Sequence, residues 1–374
     1  MHVELSPGTR IPEEWSAQWR ELLRTDRRWR SPFWRPELIE AFAQSDPAVE
    51  VARISMSDGT TRGFLPFRRD GRQGSPAGDA CSDLHGVIAD RELTPAEART
   101  VLERCGLASF RFHHLPEEQH SFDSGVDFAE RSLSIDLAGG LDRYREDLDR
   151  RGSGLFRRMG QRLRKLEREV GTVELRESRA PDDLDRLFGW KRFACRRKGW
   201  RNLYDRPAPR QIFGRLLASD NPELGGRLFL LDVASRPIAG LYLLRSGSAW
   251  HAWMVAHDPT AAKYSPGLAA FVKLIERAEE LGLETLDLSR GEERFKQELA
   301  NRSALVSEGE FGGSRWRRGF RRRWLEGKRF VGQSPFGDQA RRWVRALRRF
   351  ASGFGPPIPV ASVGSSIDSR EFPK

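Results

Sequence analysis

The most constraining feature of this sequence lies between residues 227 and 288, where three strand-like segments are followed by a turn, an amphipathic helix and one more strand. Short turns containing Ser, Gly or Pro separate the three apolar segments, which predicts an antiparallel meander. Apolar residues at three- and four-residue spacing then predict a helix over 268–281, closed by Gly282. The meander strands are predicted at 227–233, 237–244 and 249–257, and the last strand at 286–288. This order requires a mixed sheet with the helix packed on it.

The preceding residues also mix helical and strand patterns. Helical spacing covers 11–46 and 94–105, a hairpin is predicted between Val49 and Phe67, and short strands are predicted at 109–112 and 132–136. Residues 141–170 carry a dense mixture of charges with one apolar stripe, which predicts a single long helix. The fold class is therefore α/β with mixed, α+β-like sheets. The predicted divisions are a domain at 1–137, a connecting charged helix at 138–171, a second domain at 172–305, a basic helical tail at 306–352 and a disordered tail at 353–374.

The net charge of +11 is concentrated near the C-terminus. Thirteen basic and two acidic residues lie between Arg315 and Arg349, with apolar side chains at helical spacing, so two short basic amphipathic helices are predicted. Such helices bind anionic lipid headgroups, and we predict peripheral attachment to the inner membrane through this segment. RNA is the competing partner, because arginines interleaved with aromatic residues also suit phosphates and bases. Simple packing of these helices onto the rest of the chain is the third alternative.

Several classes of protein are disfavoured by what the sequence lacks. No apolar run is long enough to span a membrane, and residues 1–20 have no apolar signal region, so a cytoplasmic location is expected. The three cysteines and seven histidines lack the spacing of a disulfide framework or a metal site, and no metal is expected. A nucleophile elbow and a phosphate-binding P-loop are also missing, which argues against hydrolases and NTPases.

Six short segments stand in a recognisable order along the chain: Leu65-Pro66-Phe67, Ser82 to Ile88, Arg196 to Gly199, Tyr264 to Leu268, Asp287 to Gly291 and Phe295-Lys296. Together they resemble the GNAT-superfamily N-acetyltransferases of the CelD/BcsL type, which carry the BioF-like acetyltransferase domain and occur near bacterial polysaccharide and cellulose genes. Leu84 stands where that family has an aromatic residue. The order of the segments is also similar to the FemABX aminoacyltransferases, in which two GNAT-like domains lie in tandem.

This resemblance implies two tandem GNAT-like domains and an acyl-CoA-dependent N-acyltransferase that uses acetyl-CoA or another acyl-CoA as co-substrate. The implied acceptor is a small-molecule amine, a sugar or nucleotide-sugar of surface polysaccharide or cellulose biosynthesis. A nucleic-acid partner is not favoured. Two alternatives stay open: an aminoacyltransferase of the FemABX kind, and a non-catalytic GNAT-fold accessory protein of a membrane polysaccharide synthase.

The predicted cofactor site is the turn before the helix at 268–281. A helix N-terminus after a tight turn offers unpaired N–H groups and a favourable dipole to a pyrophosphate. Only one glycine stands in this turn, fewer than in the usual GNAT loop, and an ordinary strand-to-helix turn is the alternative. The residues assigned to cofactor binding are Val255, Tyr264, Ser265, Pro266, Gly267 and Leu268.

The predicted catalytic residues cluster after the last strand, where open α/β sheets place ligands. Glu292 or Asp287 is expected to act as the base, and Lys296 or Arg290 to hold an anionic substrate or the oxyanion. The alternative is a structural ion pair between Asp287 and Arg290. The residues expected to border the acceptor are Asp83, His85 and Trp253, although His85 also suits a structural role and Trp253 suits the core.

Overall fold

The computed structural model describes residues 1–199, 203–291 and 293–313, and its strands form a single mixed sheet. The strands are β1 (His2–Pro7), β2 (Val49–Ser55), β3 (Thr61–Asp70), β4 (Gln73–Ser75), β5 (Ile88–Ala89), β6 (Ser109–Pro116), β7 (Val126–Asp136), β8 (Val173–Ser178), β9 (Gly225–Val233), β10 (Arg236–Ser246), β11 (Ala249–His257), β12 (Thr285–Arg290) and β13 (Arg302–Gly312). Their order across the sheet is β1-β2-β3-β4-β6-β13-β7-β12-β11-β10-β9-β8, with β5 paired to β3.

Helices cover both faces of this sheet. Among the described residues, none of them is both long enough and apolar enough to cross a membrane. The α-helices are α1 (Glu13–Thr25), α2 (Pro36–Ala43), α3 (Pro95–Arg104), α4 (Gly140–Arg150), α5 (Leu155–Glu169), α6 (Pro181–Lys198), α7 (Pro207–Ala218), α8 (Pro266–Glu276) and α9 (Arg294–Leu299).

The meander that the sequence predicts is present as β9, β10 and β11. Both neighbouring pairs are antiparallel, and β12 then joins β11 in parallel. The helix α8 packs against β9 and β10 through a face that includes Phe271, Val272 and Ile275, all fully or almost fully buried. It ends at Glu276, earlier than the predicted 281. The mixed α/β fold class is therefore confirmed.

The two halves of the chain meet edge to edge, because β12 pairs antiparallel with β7. The strand β13 enters between β6 and β7, so the end of the described chain completes the sheet of the first half. Residues 306–312, predicted to begin the helical tail, belong to this central strand, where Val306 and Phe311 are buried. The rest of the tail lies outside the described residues, and its helices and disorder stay predictions.

The predicted single helix over 141–170 is two helices. Gly152 and Gly154 separate them, with φ angles of 72° and 51° in the left-handed region that favours glycine. The apolar stripe of the second helix, α5, is buried as predicted and includes Met159 and Leu163. This break lets α5 turn back and pack against α8.

One apolar cluster joins elements of both halves. Trp34 and Phe42, from the first half, lie in the same buried cluster as Phe213, Tyr242 and Trp253 from the second half. Met1–Gly312 accordingly form one compact unit. Both the sheet and this apolar cluster contain elements from either side of residues 137 and 171. The division into domains at these positions stays a prediction from the sequence.

Candidate active site

The strands β11 and β12 separate after a short contact. Their pairing ends at His251 and Asp287, although β11 continues to His257. On β11, Trp253 is an extra residue relative to β10, and such a bulge bends its strand. On β12, the register with β7 shifts after Asp287, and Ser289 has a φ of 62°, a strained value for a residue with a side chain. These two irregularities hold the strands apart.

The opening between the strands continues into a cavity of about 840 Å³, which we call the central cleft. Its walls are β11, β12, α5, α6, α9 and the beginning of α8. The lining residues used below are Asp83, Arg158, Arg162, Arg197, Lys198, Trp253, Val255, His257, Ser265, Pro266, Gly267, Leu268, Ser289, Glu293 and Lys296.

The N-terminus of α8 opens onto this cleft. Ala269 makes the first helical hydrogen bond, to the carbonyl of Ser265, so the helix does not use the N–H groups of Gly267 and Leu268. Pro266 occupies the first helical position, where its missing N–H costs nothing. A Cβ added at Gly267 would meet only Val255 Cγ2 at 3.5 Å and His257 Nδ1 at 3.9 Å, so the site tolerates a small side chain sterically. The free N–H groups and the helix dipole favour an anion.

Basic side chains surround the same end of the cleft. Arg162 on α5 donates a hydrogen bond from Nη1 to Ser265 Oγ at 2.7 Å, which places its guanidinium beside the N-terminus of α8. Arg158 lies one turn earlier and pairs with Glu298 at 3.1 Å. Arg197 and Lys198, from the last turn of α6, also line the cleft. This concentration of positive charge suits a phosphate-bearing ligand.

A second, differently charged group lies where the strands part. His251 is fully buried, and its Nε2 lies 2.9 Å from Asp83 Oδ2 while its Nδ1 lies 3.4 Å from Asp287 Oδ2. Asp83 comes from the loop before β5, which Trp253 also fixes by donating from Nε1 to the carbonyl of Cys81 at 3.0 Å. The ring of Phe33 packs edge-on against His251. We call Asp83, His251 and Asp287 the carboxylate–histidine triad.

Electrostatics makes this triad an ion cluster. Burial lowers the pKa of His251, but Asp287 and Asp83 outweigh burial and raise that pKa to about 9. Burial opposes ionisation of Asp83, yet the hydrogen bond with His251 prevails and holds the pKa of this carboxyl well below its usual range. At neutral pH the triad therefore contains an imidazolium between two carboxylates. Its net charge is negative, opposite to that of the residues around α8.

Lys296 lies on the cleft wall and is nearly buried. Its Nζ donates to the carbonyl of Arg290 at 2.6 Å and lies 3.2 Å from Glu293 Oε2. Gly291 has a φ of 129°, and a Cβ there would come within 2.3 Å of Glu293 Oε2 and 3.1 Å of Lys296 Nζ. The φ angle favours glycine, and a side chain at this position would displace the Glu293 carboxylate and the Lys296 ammonium group.

The structure brings most of the predicted site residues to the cleft. Its lining includes five of the six cofactor residues, together with Asp83, Trp253 and Lys296. Tyr264 is instead buried beside the cleft, where its hydroxyl contacts Glu169 Oε2 at 3.1 Å. Asp287 lies behind the lining, in the triad. Glu292, the other candidate base, lies outside the described residues.

Two predicted residues face elsewhere. Arg290 turns toward β7 and β13, where its Nη1 lies 3.1 Å from Glu308 Oε2, so the alternative of a pair with Asp287 is wrong. His85 is buried away from the cleft, and its Nε2 accepts the backbone N–H of His113 at 3.0 Å. Its Gly-flanked loop is held by this bond and by Gln119, which bonds both backbone groups of Val87. These surroundings are typical of a structural histidine, and contact of His85 with an acceptor stays a prediction.

Sequence reasoning missed His251, Arg158 and Arg162 as site residues. A histidine inside an apolar strand was a signal for His251, because a buried imidazole needs polar partners. The arginines carried no comparable signal, since α5 has basic residues all along its polar face. Only the packing of α5 on α8 distinguishes those that reach the cleft.

Separated strands with a helix N-terminus at their opening are the arrangement that the resemblance to GNAT-type proteins implies. Residues 153–297 match the family model described as acetyltransferase (GNAT) domain. That segment runs from α5 to α9 and contains the cleft walls described above. Comparison of the whole chain with curated protein sequences gave no match.

Solved structures share the fold at low sequence identity. The C-terminal domain (DUF2156) of a protein described as a lysylphosphatidylglycerol synthetase from Agrobacterium fabrum has a TM-score of 0.52 and 14% identity, over 80% of this chain and 93% of its own. FemX has a TM-score of 0.52 and 10% identity, over 83% and 96% of the two chains. A conserved protein of unknown function from Bacteroides thetaiotaomicron VPI-5482 has a TM-score of 0.51 and 10% identity, over 82% and 100%. These likenesses extend across both halves, beyond the segment that the family model matches.

Proposed function

We propose that this protein is an acyl-CoA-dependent N-acyltransferase, with acetyl-CoA as the donor. The observation that carries the proposal is the opening between β11 and β12 with the N-terminus of α8 and Arg162 at its end. Beyond His251, β11 is released from β12, so its backbone can hydrogen-bond the amide groups of an extended pantetheine chain. The pyrophosphate then reaches the free N–H groups of Gly267 and Leu268.

The reaction is direct transfer within a ternary complex. The amine nitrogen attacks the thioester carbon, the new N–C bond forms, and the C–S bond breaks to release CoA. During attack the carbonyl oxygen becomes negative, and Lys296 is the cation on the cleft wall that stabilises it. Glu293, also on the wall and 3.2 Å from Lys296, fixes the position of that ammonium group.

The acceptor we propose is an amino group of a sugar or nucleotide-sugar used for surface polysaccharide, a choice supported by the resemblance of Ser82 to Ile88 and the other segments to CelD/BcsL-type proteins. The second candidate is aminoacyl transfer. It is favoured by the fold shared with FemX and with the structure described as a lysylphosphatidylglycerol synthetase. In that case the basic wall around Arg162 would bind the phosphates of an aminoacyl donor.

Isothermal titration with acetyl-CoA and desulfo-CoA tests the donor. We expect both to bind the full chain, because recognition of the pyrophosphate does not need the thioester. Gly267→Asp places a negative charge at the helix N-terminus without a steric clash, so it should abolish binding of both ligands. Gly214→Asp on α7 is the matched control, since a Cβ there meets nothing within 4 Å and the residue does not line the cleft.

The outcomes separate the alternatives. Binding by the wild type and the control, with loss in Gly267→Asp, supports the acyl-CoA site. Equal binding by all three proteins places the ligand elsewhere. If neither ligand binds a correctly folded wild type, aminoacyl transfer or a non-catalytic accessory role replaces the proposal.

A further inference from the structure

The central cleft has two regions of opposite charge. Arg158, Arg162, Arg197 and Lys198 line it near α8, whereas Asp83 lines it where β11 and β12 part. Under the proposed function, the cationic region takes the phosphates of the donor. The anionic region is then left for the second substrate.

Asp83 is held in a fixed orientation. Its Oδ2 lies 2.9 Å from His251 Nε2, and the adjoining Cys81 carbonyl accepts the indole N–H of Trp253 at 3.0 Å. Two contacts restrict rotation of the His251 ring. Phe33 packs edge-on against it, with 4.8 Å between the ring centroids, and Asp287 Oδ2 lies 3.4 Å from Nδ1. A loop from the first half of the chain thus presents a carboxylate to a cleft built by the second half.

The charge of this carboxylate is not cancelled by the groups around it. His251 offers one positive charge to two carboxylates, and Asp287 also accepts the backbone N–H of Ser289 at 2.7 Å. The second oxygen of Asp83 lies 3.8 Å from His114 Nε2, beyond hydrogen-bond distance, and burial lowers the pKa of His114 to about 3. The other charged or titratable groups near the triad include His85, His113, Asp79 and Arg290, together with Cys81 and Tyr204, which interact electrostatically with Asp83.

We propose that Asp83 binds the amino group of the acceptor as an ammonium ion, and that His251 is the positioning residue that holds the Asp83 carboxylate directed into the cleft. This inference rests on the proposed function and specifies its acceptor as a cationic amine. Asp287 holds His251 from the opposite side.

The same carboxylate acts during transfer. The bound ammonium ion first loses one proton to solvent, and the neutral nitrogen attacks the thioester carbon. Nitrogen becomes positive as the N–C bond forms, and Asp83 stabilises that charge in a region of low dielectric. When the C–S bond breaks, the thiolate of CoA receives the second proton from nitrogen. The products are the amide and free CoA.

The test uses CoA thioethers, which need no knowledge of the natural acceptor. CoA is alkylated at sulfur with –CH₂–CO–NH– linkers that end in aminoethyl, aminopropyl or aminobutyl groups, and in the corresponding hydroxyalkyl groups. We expect the best ammonium conjugate to bind the full-length wild type at least about tenfold more tightly than its hydroxyl partner, as a charged hydrogen bond warrants. In Asp83→Asn this preference should disappear while acetyl-CoA affinity is unchanged. Asp220→Asn, at an exposed ion pair with Arg179, should behave as wild type.

A pH series tests the positioning role. In the wild type the ammonium preference should persist as the pH is lowered to 5. In His251→Gln it should be lost in that range, because burial without the imidazolium raises the pKa of Asp83. His251→Asn, which also removes the imidazolium, serves the same purpose if the glutamine variant does not fold. No preference in the wild type at any linker length, or an unchanged preference in Asp83→Asn, overturns the inference. If acetyl-CoA itself does not bind, the proposed function is wrong and this inference falls with it.

Discussion

The buried imidazolium of His251 makes a quantitative prediction about stability. Its pKa is raised from 6.5 to about 9 in the folded protein, so folding binds a proton between these values. The stabilisation is fully present below pH 6.5 and is lost as the pH rises through 9. At about 1.4 kcal/mol per pKa unit, the structure predicts that about 3 kcal/mol disappears over this interval. The side chain is fully buried, so solvent does not screen the two carboxylates from it.

The perturbation is His251→Gln, and the assay is urea unfolding of both proteins at intervals from pH 6.5 to 9.5. Below pH 6.5 the difference in free energy of unfolding should be at its largest, and it should shrink by about 3 kcal/mol by pH 9.5. His113 and His114 do not contribute to this change, because burial lowers their pKa values and their effect on stability lies at lower pH.

A second readout keeps the test decisive. In the wild type, the imidazole NMR signal assigned to His251 should titrate with a midpoint near 9, and in Asp287→Asn that midpoint should fall because one of the two carboxylates is neutralised. Parallel stability curves, or a His251 signal that titrates near 6.5, would refute the reasoning that the triad holds an imidazolium.

Three further predictions follow from the cleft and the tail. Arg162→Glu should weaken acetyl-CoA binding at least about tenfold, since it reverses the charge beside α8. Arg164→Glu, exposed on the same helix, should change the affinity by no more than about twofold, and equal effects of the two variants would show that only long-range charge matters. Lys296→Ala should lower kcat about a hundredfold or more while costing only about 1 kcal/mol of stability, and an unchanged kcat would remove Lys296 from the mechanism. A chain truncated after Gly313 keeps all of β13 and should bind acetyl-CoA normally. The full chain should co-sediment with anionic vesicles at low salt, and the truncated chain should not. Equal sedimentation of the two would remove the membrane role from the tail.

The sequence alone determined the local structure of the second half of the chain. The strands β9, β10 and β11, the helix α8 and the turn at Ser265 to Gly267 are all encoded by residues close together in the chain, through periodicity and turn residues. The prediction of one long helix over 141–170 was wrong. The charge pattern continues through this segment, but Gly152 and Gly154 lie within it and end the helix there.

Only the tertiary structure decided which residues meet. Asp83 and His251 are 168 positions apart, and no periodicity relates them. The strand β13 inserts between two strands of the first half, although it follows the last strand of the second half. Local patterns report which face of an element is apolar, but the partner of that face depends on how all elements pack at once. The opening of the cleft has the same origin, because a bulge at Trp253 and a left-handed Ser289 arise where two strands with different partners must part.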